Sequence, residues 1–185
     1  MIRAALSYRE ESQLVIVDMQ DKLCGAMGQD ALQPVVRNCA TLLQAARLLN
    51  IPALYTEQAP AKLGATLPDL TQWLEPSSRV EKTCFSCCEE SDFCAQLDDT
   101  RSQVVLAGTE AHVCVLQTAL QLQEMKHRVF VVEDAVISRS HANKTNALDR
   151  LRQAGVIITN TESVVFEWLK VAEGDAFRQI ARLIK

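Results

Sequence analysis

The 185-residue sequence contains no run of 18 apolar residues, and its first apolar stretch, residues 4–6, is too short for a signal-peptide core. We therefore expect neither a membrane association nor a secretory leader. The sequence also has no excess of basic residues, because 19 Lys and Arg stand against 23 Asp and Glu. The resulting net charge of −4 gives no attraction for a phosphate backbone, so we expect no nucleic-acid partner.

Several sequence motifs are absent as well. The chain has no G-x-G-x-x-G, no P-loop and no G-x-S-x-G, which argues against dinucleotide-binding proteins, P-loop NTPases and hydrolases with a serine elbow. No repeat, low-complexity tract or Gly/Ser linker divides it, so residues 1–185 are predicted to form one domain. Seven cysteines, an odd number without a secretory signal, predict free thiols and a cytoplasmic location.

Short apolar runs alternate along the chain with segments of helical periodicity. The runs are continuous rather than alternating, which is typical of parallel strands covered on both faces, and they lie at residues 14–17, 52–55, 79–81, 103–107, 128–132 and 156–158. Apolar positions three and four apart predict helices between them, one of which has Pro34 in its first turn. The pattern predicts an α/β fold of three layers, in which ligands bind beyond the carboxyl ends of the strands.

Three chemically active side chains stand close to the ends of these runs: Asp18, Lys82 and Cys114. Cys114 lies in the first turn of a helix predicted from Val113 to Met125, where the unpaired N–H groups favour a thiolate, so we expect its pKa to be lowered toward neutrality. Taken singly, Asp18 could be a capping residue, Lys82 a solvated residue and Cys114 an apolar filler. Together, at one edge of a sheet, they are a base, a cation and a nucleophile.

The other cysteines and the histidines give weaker signals. Cys84, Cys87, Cys88 and Cys94 form a dense cluster, but zinc needs four ligands in paired spacings and no second C-x2-C or H-x3-H pair exists. We interpret them as reduced structural or surface thiols and expect no metal. Among the histidines, only His112 lies near the candidate site, where it would line a pocket or pack structurally.

Three segments resemble the isochorismatase-like cysteine hydrolases: Val-Asp-Met-Gln at 17–20, Glu-Lys-Thr-x-Phe-Ser at 81–86 and Gly-Thr-Glu-Ala-His-Val-Cys-Val at 108–115. Other segments look like the isochorismatase-domain-containing branch of that family, namely residues 56–58, 63–70, 132–135 with 138–139, and 177–185. The resemblance runs nearly end to end. It implies a six-stranded parallel sheet of Rossmann-like order, with helices on both sides, and it implies a catalytic triad of Asp18, Lys82 and Cys114.

The same resemblance implies how the site would work. A cis peptide before the nucleophile, at Thr109–Glu110, would aim the backbone N–H groups of Glu110 and Cys114 at an oxyanion. Asp18 would take the thiol proton, Lys82 would stabilise the charges, and Cys114 would form a thioester that water hydrolyses. Four further residues are candidates for the pocket: Gln20, which could instead satisfy a backbone group, Glu57, Phe85 and His112.

Departures from related subfamilies narrow the expected reaction. Nicotinamidases of this family bind a metal through histidines after the second strand, whereas residues 57–62 contain none, so we expect no metal and no other cofactor. Cys114 argues against hydrolysis of a vinyl ether. The sequence thus predicts a metal-independent cysteine hydrolase acting on a small amide or related C–N bond. The alternatives are an ester or thioester hydrolase with the same triad, or a non-catalytic binding protein that retains the fold. The family resemblance also implies a homo-oligomer, a dimer or larger.

Overall fold

Six parallel strands form the centre of the molecule, a computed structural model that describes residues 5–184. The strand order is β3-β2-β1-β4-β5-β6, and every neighbouring pair is parallel, which confirms the predicted α/β fold and its Rossmann-like order. The strands are β1 (Ser12–Val17), β2 (Ala53–Gln58), β3 (Arg79–Lys82), β4 (Gln103–Thr109), β5 (Arg128–Ile137) and β6 (Ile157–Thr159). Residues 1–4, where no leader was expected, and residue 185 lie outside the described residues.

Helices connect the strands and cover both faces of the sheet. Those of the described chain are α1 (Asp21–Gly25), α2 (Gln29–Leu48), α3 (Pro60–Leu63), α4 (Pro68–Thr71), α5 (Ser91–Gln96), α6 (Leu116–Glu124), α7 (His141–Gln153), α8 (Thr161–Leu169) and α9 (Gly174–Leu183). A π-helical turn (Ala111–Val115) leads into α6, and 3₁₀ turns occupy Pro76–Ser78 and Cys87–Glu89. No helix within residues 5–184 is both long enough and apolar enough to cross a membrane.

The two sides of the sheet form two apolar clusters. Side chains alternate along a strand, so Leu14 and Ile16 face one cluster while Val15 and Val17 face the other. The first cluster includes residues of α2, α8 and α9, and the second includes residues of α5, α6 and α7. The continuous apolar runs of the sequence therefore arise because each central strand is buried on both faces.

Two helix starts differ from the predicted ones. Helix α2 begins at Gln29, and Gly28 O accepts hydrogen bonds from the N–H groups of Ala31 and Leu32, so Pro34 lies in the second turn and not the first. The second difference is that α6 begins at Leu116, after the π-helical turn, whereas sequence periodicity placed the helix start three residues earlier. Periodicity does not distinguish a π turn from an α turn, because both can bury the same side chains.

The strand order predicts a binding crevice at one edge of the sheet. Strand β1 pairs with both β2 and β4, and the chain leaves β1 and β4 toward opposite halves of the sheet. In open parallel sheets, the crevice beyond the carboxyl ends of such strands is where ligands bind. The residues after Val17 and after Thr109 lie at this crevice.

Candidate active site

Asp18 directly follows β1 in a backbone conformation that non-glycine residues rarely adopt, with φ at +48°. Hydrogen bonds hold this conformation on both sides of the residue. Its N–H donates to Thr56 O at 3.2 Å, and its C=O accepts from Gln20 N at 2.8 Å and from Thr109 Oγ1 at 2.9 Å. Strain of about 1–3 kcal/mol persists only where the surroundings impose it, so the fold fixes the direction of the Asp18 carboxyl.

Gly108 allows β1 and β4 to approach each other just before the site. Its φ is +116°, and a Cβ built on it would lie 2.1 Å from Val17 O, closer than any real contact. The β4–β5 register also shifts between Leu106 and Gly108. Only glycine fits this position, and its fit sets Thr109 beside Asp18.

Lys82 is the last residue of β3, and its ammonium reaches Asp18 across the end of β2. Nζ lies 2.7 Å from Asp18 Oδ2, and both side chains are fully closed to solvent. Burial tends to lower the pKa of Lys82, but the negative charges of Asp18 and of an ionised Cys114 outweigh it and raise that pKa above its ordinary value. The ammonium is therefore charged at neutral pH.

Cys114 lies in the π-helical turn between β4 and α6 and is 7% exposed. The expected cis peptide at Thr109–Glu110 is wrong, because this bond is trans and no cis bond occurs within residues 5–184. A trans peptide avoids the cost of about 3–4 kcal/mol that a non-proline cis bond carries. The chain reverses instead through the π turn, in which Glu110 O accepts the N–H groups of Val113 and Val115.

The expectation of a lowered thiol pKa is also wrong. Burial, followed by the negative charge of Asp18, raises the pKa of Cys114 to about 12, and the opposing charge of Lys82 does not compensate. At neutral pH the resting site therefore holds a protonated thiol beside an ion pair, and any attack by sulfur requires that a base remove the proton in the same step.

Two polar residues on β2, Thr56 and Gln58, complete the environment of the ion pair and were not found from the sequence. Thr56 Oγ1 donates to Asp18 Oδ1 at 2.7 Å, and Gln58 Oε1 accepts from Lys82 Nζ at 2.6 Å. They lie between Asp18 and Lys82 because β2 lies between β1 and β3. The signal that could have found them is the period of two along a strand, which places Thr56 and Gln58 on one face and Glu57 on the other.

Two of the predicted pocket residues have backbone partners instead of facing the ion pair. Gln20 is buried, donates to the carbonyls of Gln58 and Gly64, and accepts from Gln58 N–H. Glu57, also buried, accepts from both N–H and Oγ1 of Thr66 and pairs with Arg79 at 3.3 Å. These contacts anchor the segment between β2 and α4 to the sheet.

The other two predicted pocket residues lie toward the solvent. Phe85 is 57% exposed, and its carbonyl accepts a hydrogen bond from Lys82 Nζ at 3.1 Å. His112 Nδ1 lies 3.0 Å from Ser138 Oγ, at the end of β5, and 3.9 Å from a carboxylate oxygen of Glu110. Neither side chain contacts the Asp18–Lys82 pair through a hydrogen bond, so a role in binding substrate stays a prediction.

The cysteine cluster does not have the geometry of a metal centre. Cys84 is exposed and Cys88 and Cys94 are half-buried, while Cys87 is fully buried with its Sγ 3.9 Å from Thr56 Oγ1. Within residues 5–184, no group of three or more His, Cys, Asp or Glu side chains is arranged to hold a metal ion. Burial, with the charge of Asp18 second, raises the pKa of Cys87 to about 11, so Cys87 is a second protonated thiol beside the ion pair.

Known proteins share both the sequence and the fold. Residues 12–163 match the family model of the isochorismatase domain. Isochorismatase domain-containing protein 2 of Danio rerio is 41% identical over 176 residues, which cover 94% of this chain and 86% of the relative.

Two solved structures superpose on the whole fold. The MAR1 ribonuclease from Caenorhabditis elegans is 35% identical, with a TM-score of 0.89 over 96% of this chain and 91% of its own. YcaC from Escherichia coli, described as an octameric hydrolase of unknown specificity, is 23% identical, with a TM-score of 0.90 over 100% of this chain and 91% of its own. At that identity, the likeness to YcaC establishes the fold alone.

Proposed function

The chain belongs to the isochorismatase family, and from that premise we propose that it is a metal-independent cysteine hydrolase that cleaves a small amide or related C–N bond. One observation carries the proposal: Asp18 and Lys82 form a buried ion pair, 2.7 Å apart, and the charges of both residues act on the thiol of Cys114. A base, a cation and a nucleophile closed off from water are the groups that acyl transfer needs.

The first half of the reaction acylates the enzyme. Asp18 takes the proton of Cys114 as Sγ bonds to the substrate carbonyl carbon, and the electron pair of the C=O bond moves to oxygen. Lys82, which stays protonated, stabilises the added negative charge, and we expect the backbone N–H groups of Glu110 and Cys114 to donate to the oxyanion. Each such donor lowers the activation barrier by about 3 kcal/mol. The C–N bond then breaks, and the amine leaves with the proton held by Asp18.

The second half restores the enzyme. Water attacks the thioester carbon, and its proton passes to Asp18. The tetrahedral intermediate collapses, the C–S bond breaks and Cys114 recovers its proton, so water is the only other reactant. The high pKa of Cys114 fits this cycle, because a thiol that is neutral at rest exchanges one proton with one base and leaves the buried pair with no excess charge.

The non-catalytic alternative has one observation in its favour, since the thiol of Cys114 is nearly buried and its pKa is raised to about 12. Ester or thioester hydrolysis by the same triad is the alternative within enzymes. Hydrolysis of RNA, which the name of the nematode relative suggests for that protein, is disfavoured here by the net charge of −4.

Site-resolved thiol labelling tests whether the triad is coupled. Limiting iodoacetamide is applied between pH 5 and 9, and tryptic peptides are then quantified by mass spectrometry; residues 102–126 contain Cys114 as their sole cysteine. Because the charge of Asp18 raises the pKa of Cys114, we expect Asp18→Asn to move the pH profile of Cys114 labelling to lower pH, with a rate about tenfold or more higher at pH 7, and to leave exposed Cys84 unchanged. If Asp18→Asn has no effect on Cys114, the triad is not coupled and the binding-protein alternative stands.

A substrate panel tests the reaction class. Small amides, ureides, esters and thioesters are offered to wild type and to Cys114→Ala, and products are measured by mass spectrometry. We expect turnover of C–N substrates that falls by about 10³-fold or more in the variant. Turnover confined to esters and thioesters would replace the amide assignment with the alternative.

We also propose a cytoplasmic homo-oligomer, a dimer or larger. The octameric assembly described for YcaC from Escherichia coli, which shares the fold, supports self-association. Sedimentation velocity at micromolar concentration should show a species at least twice the mass of one chain, and a monomer alone would contradict this.

A further inference from the structure

The Lys82 ammonium has more acceptors around it than it has N–H groups. Three neutral oxygens accept hydrogen bonds from Nζ: Gln58 Oε1 at 2.6 Å, Phe85 O at 3.1 Å and Cys84 O at 3.2 Å. An ammonium has three N–H donors, so these acceptors account for all of them. Lys82 is thus paired with Asp18 by charge, while its N–H groups donate to the three neutral oxygens.

The two oxygens of the Asp18 carboxyl are held differently. Oδ1 accepts the hydroxyl of Thr56 at 2.7 Å. Oδ2 lies 2.7 Å from Lys82 Nζ, which is an ion-pair distance, but it accepts none of the hydrogen bonds that Nζ donates. Within residues 5–184, Oδ2 is a fully buried carboxylate oxygen with no hydrogen-bond donor.

Such an arrangement is unusual, because a buried acceptor without a donor costs about 1–3 kcal/mol and an N–H of Lys82 is near enough to satisfy it. A charge-assisted hydrogen bond from Lys82 to Asp18 would be stronger than one to a neutral amide oxygen. The neutral acceptor supplied by Gln58 competes for that N–H. The open oxygen lies at the site whose nucleophile, Cys114, has a proton to donate.

We propose that Thr56 and Gln58 are positioning residues that keep Asp18 Oδ2 free to accept the thiol proton of Cys114. Thr56 fixes the carboxyl through Oδ1, and Gln58 holds one N–H of Lys82 away from Oδ2. The two side chains occupy alternate positions on β2, the strand between the base and the cation. One strand therefore positions both the carboxyl of Asp18 and the ammonium of Lys82. This inference rests on the proposed cysteine chemistry and adds to it two residues that take no part in the bonds made or broken.

The test compares the pH profile of Cys114 alkylation by iodoacetamide in the full-length chain, read on the peptide of residues 102–126. In Gln58→Met, an N–H of Lys82 turns to Oδ2 and offsets more of the Asp18 charge that raises the pKa of Cys114, so we expect the rate at pH 7 to rise about tenfold. In Thr56→Val, the carboxyl loses its anchor and the rate at pH 7 changes by a similar factor. Thr56→Ser keeps the hydroxyl and should restore the rate to within about twofold of wild type.

Two matched controls separate positioning from general packing. Gln13, on β1 but at the opposite end of the sheet, donates to the carbonyls of Asp98 and Arg101, and Thr66 is a buried threonine that donates to Glu57. Gln13→Met and Thr66→Val should lower the unfolding temperature and leave the Cys114 profile unchanged. If they change the profile as much as the β2 variants do, the role of Thr56 and Gln58 is structural only and the proposal is overturned.

The remaining outcomes distinguish this inference from the proposed function. If Asp18→Asn shifts the pH profile of Cys114 while Gln58→Met and Thr56→Val do not, the cysteine chemistry stands and the positioning role is wrong. If Asp18→Asn also has no effect, the proposed function itself fails. Should Gln58→Met not fold, the comparison of Thr56→Val with Thr56→Ser decides alone, because equal rates in those two variants contradict the proposal.

Discussion

Lys82 Nζ and Asp18 Oδ2 lie 2.7 Å apart at the ends of two strands that are not neighbours, and both side chains are closed to solvent. Desolvating two charges is costly, and their attraction offsets this only while both partners are present. In the proposed mechanism, this pair provides a fixed base beside a thiol that is protonated at rest.

Removing one partner of this pair should be far more costly than removing one partner of a surface pair. Lys82→Met leaves Asp18 buried and uncompensated, so we expect a loss of about 3–5 kcal/mol in the free energy of unfolding at pH 7. Lys170, paired with Glu10 on the surface at 2.9 Å, is the control, and Lys170→Met should cost less than about 1 kcal/mol. Urea unfolding measures both.

A double-mutant cycle of Asp18→Asn, Lys82→Met and the variant with both substitutions measures the coupling between the two charges. Because the double variant removes both charges, we expect it to be more stable than Lys82→Met alone. If the losses in unfolding free energy of the two single variants add up to the loss in the double variant, the two charges do not stabilise each other.

The sequence could predict where Asp18, Lys82 and Cys114 lie because carboxyl ends of parallel strands share one edge, and that argument needs only the order of apolar runs. It missed Thr56 and Gln58 because the apolar run of β2 stops at Tyr55, while the strand continues to Gln58. Polar residues at the end of a run look like a loop, and only the pairing with β3 shows that they are still in the sheet.

The electrostatics of Cys114 lay beyond the sequence for a different reason. A helix start favours a thiolate, and that local rule is sound for an exposed turn. The outcome depends on burial and on the distance to Asp18, which are set by packing between separate elements. The trans peptide at Thr109–Glu110 is likewise a matter of how the π turn packs, which spacing does not encode.

Gly108 should tolerate no larger residue. In Gly108→Ala, the new Cβ would meet Val17 O at 2.1 Å and the backbone would keep a φ of +116°, so β1 and β4 must separate. We expect a loss of more than about 4 kcal/mol or failure to accumulate as folded protein. Gly25→Ala is the control, since its Cβ would meet nothing within 4 Å and alanine favours helix. Thermal unfolding of both variants checks this, and equal unfolding temperatures would contradict it.

Glu57 should contribute to the free energy of unfolding and have no effect on the reactivity of the Cys114 thiol. Glu57→Leu leaves the N–H and hydroxyl of Thr66 without their acceptor, and we expect a cost of about 2–3 kcal/mol in urea unfolding. Glu81→Leu removes the exposed carboxylate that also pairs with Arg79 and should cost less than about 1 kcal/mol. The alkylation profile of Cys114 should be the same in both variants, and a change confined to Glu57→Leu would place that residue in the pocket after all.

Stability should fall as the solution becomes alkaline, because buried thiols resist ionisation only in the folded chain. The pKa of Cys114 is raised from an ordinary value near 9 to about 12, so above pH 9 the unfolded chain loses a proton that the folded chain keeps. The contribution of this thiol is fully present below pH 9 and is lost toward pH 12. Its slope is about 1.4 kcal/mol for each pH unit.

Cys114→Ala isolates that contribution. Buried Cys24 and half-buried Cys88 also have pKa values raised to about 12 by burial, so several thiols contribute to the wild-type slope of unfolding free energy against pH. Cys114→Ala should reduce that slope by the contribution of one thiol. Urea unfolding at pH 8, 9 and 10 under reducing conditions measures the slope below the range in which Lys82 titrates. Exposed Cys84 is the matched control, and Cys84→Ala should leave the slope as in wild type. An unchanged slope in Cys114→Ala would mean that its thiol ionises as readily in the folded chain as in the unfolded one, and it would contradict the raised pKa of this thiol.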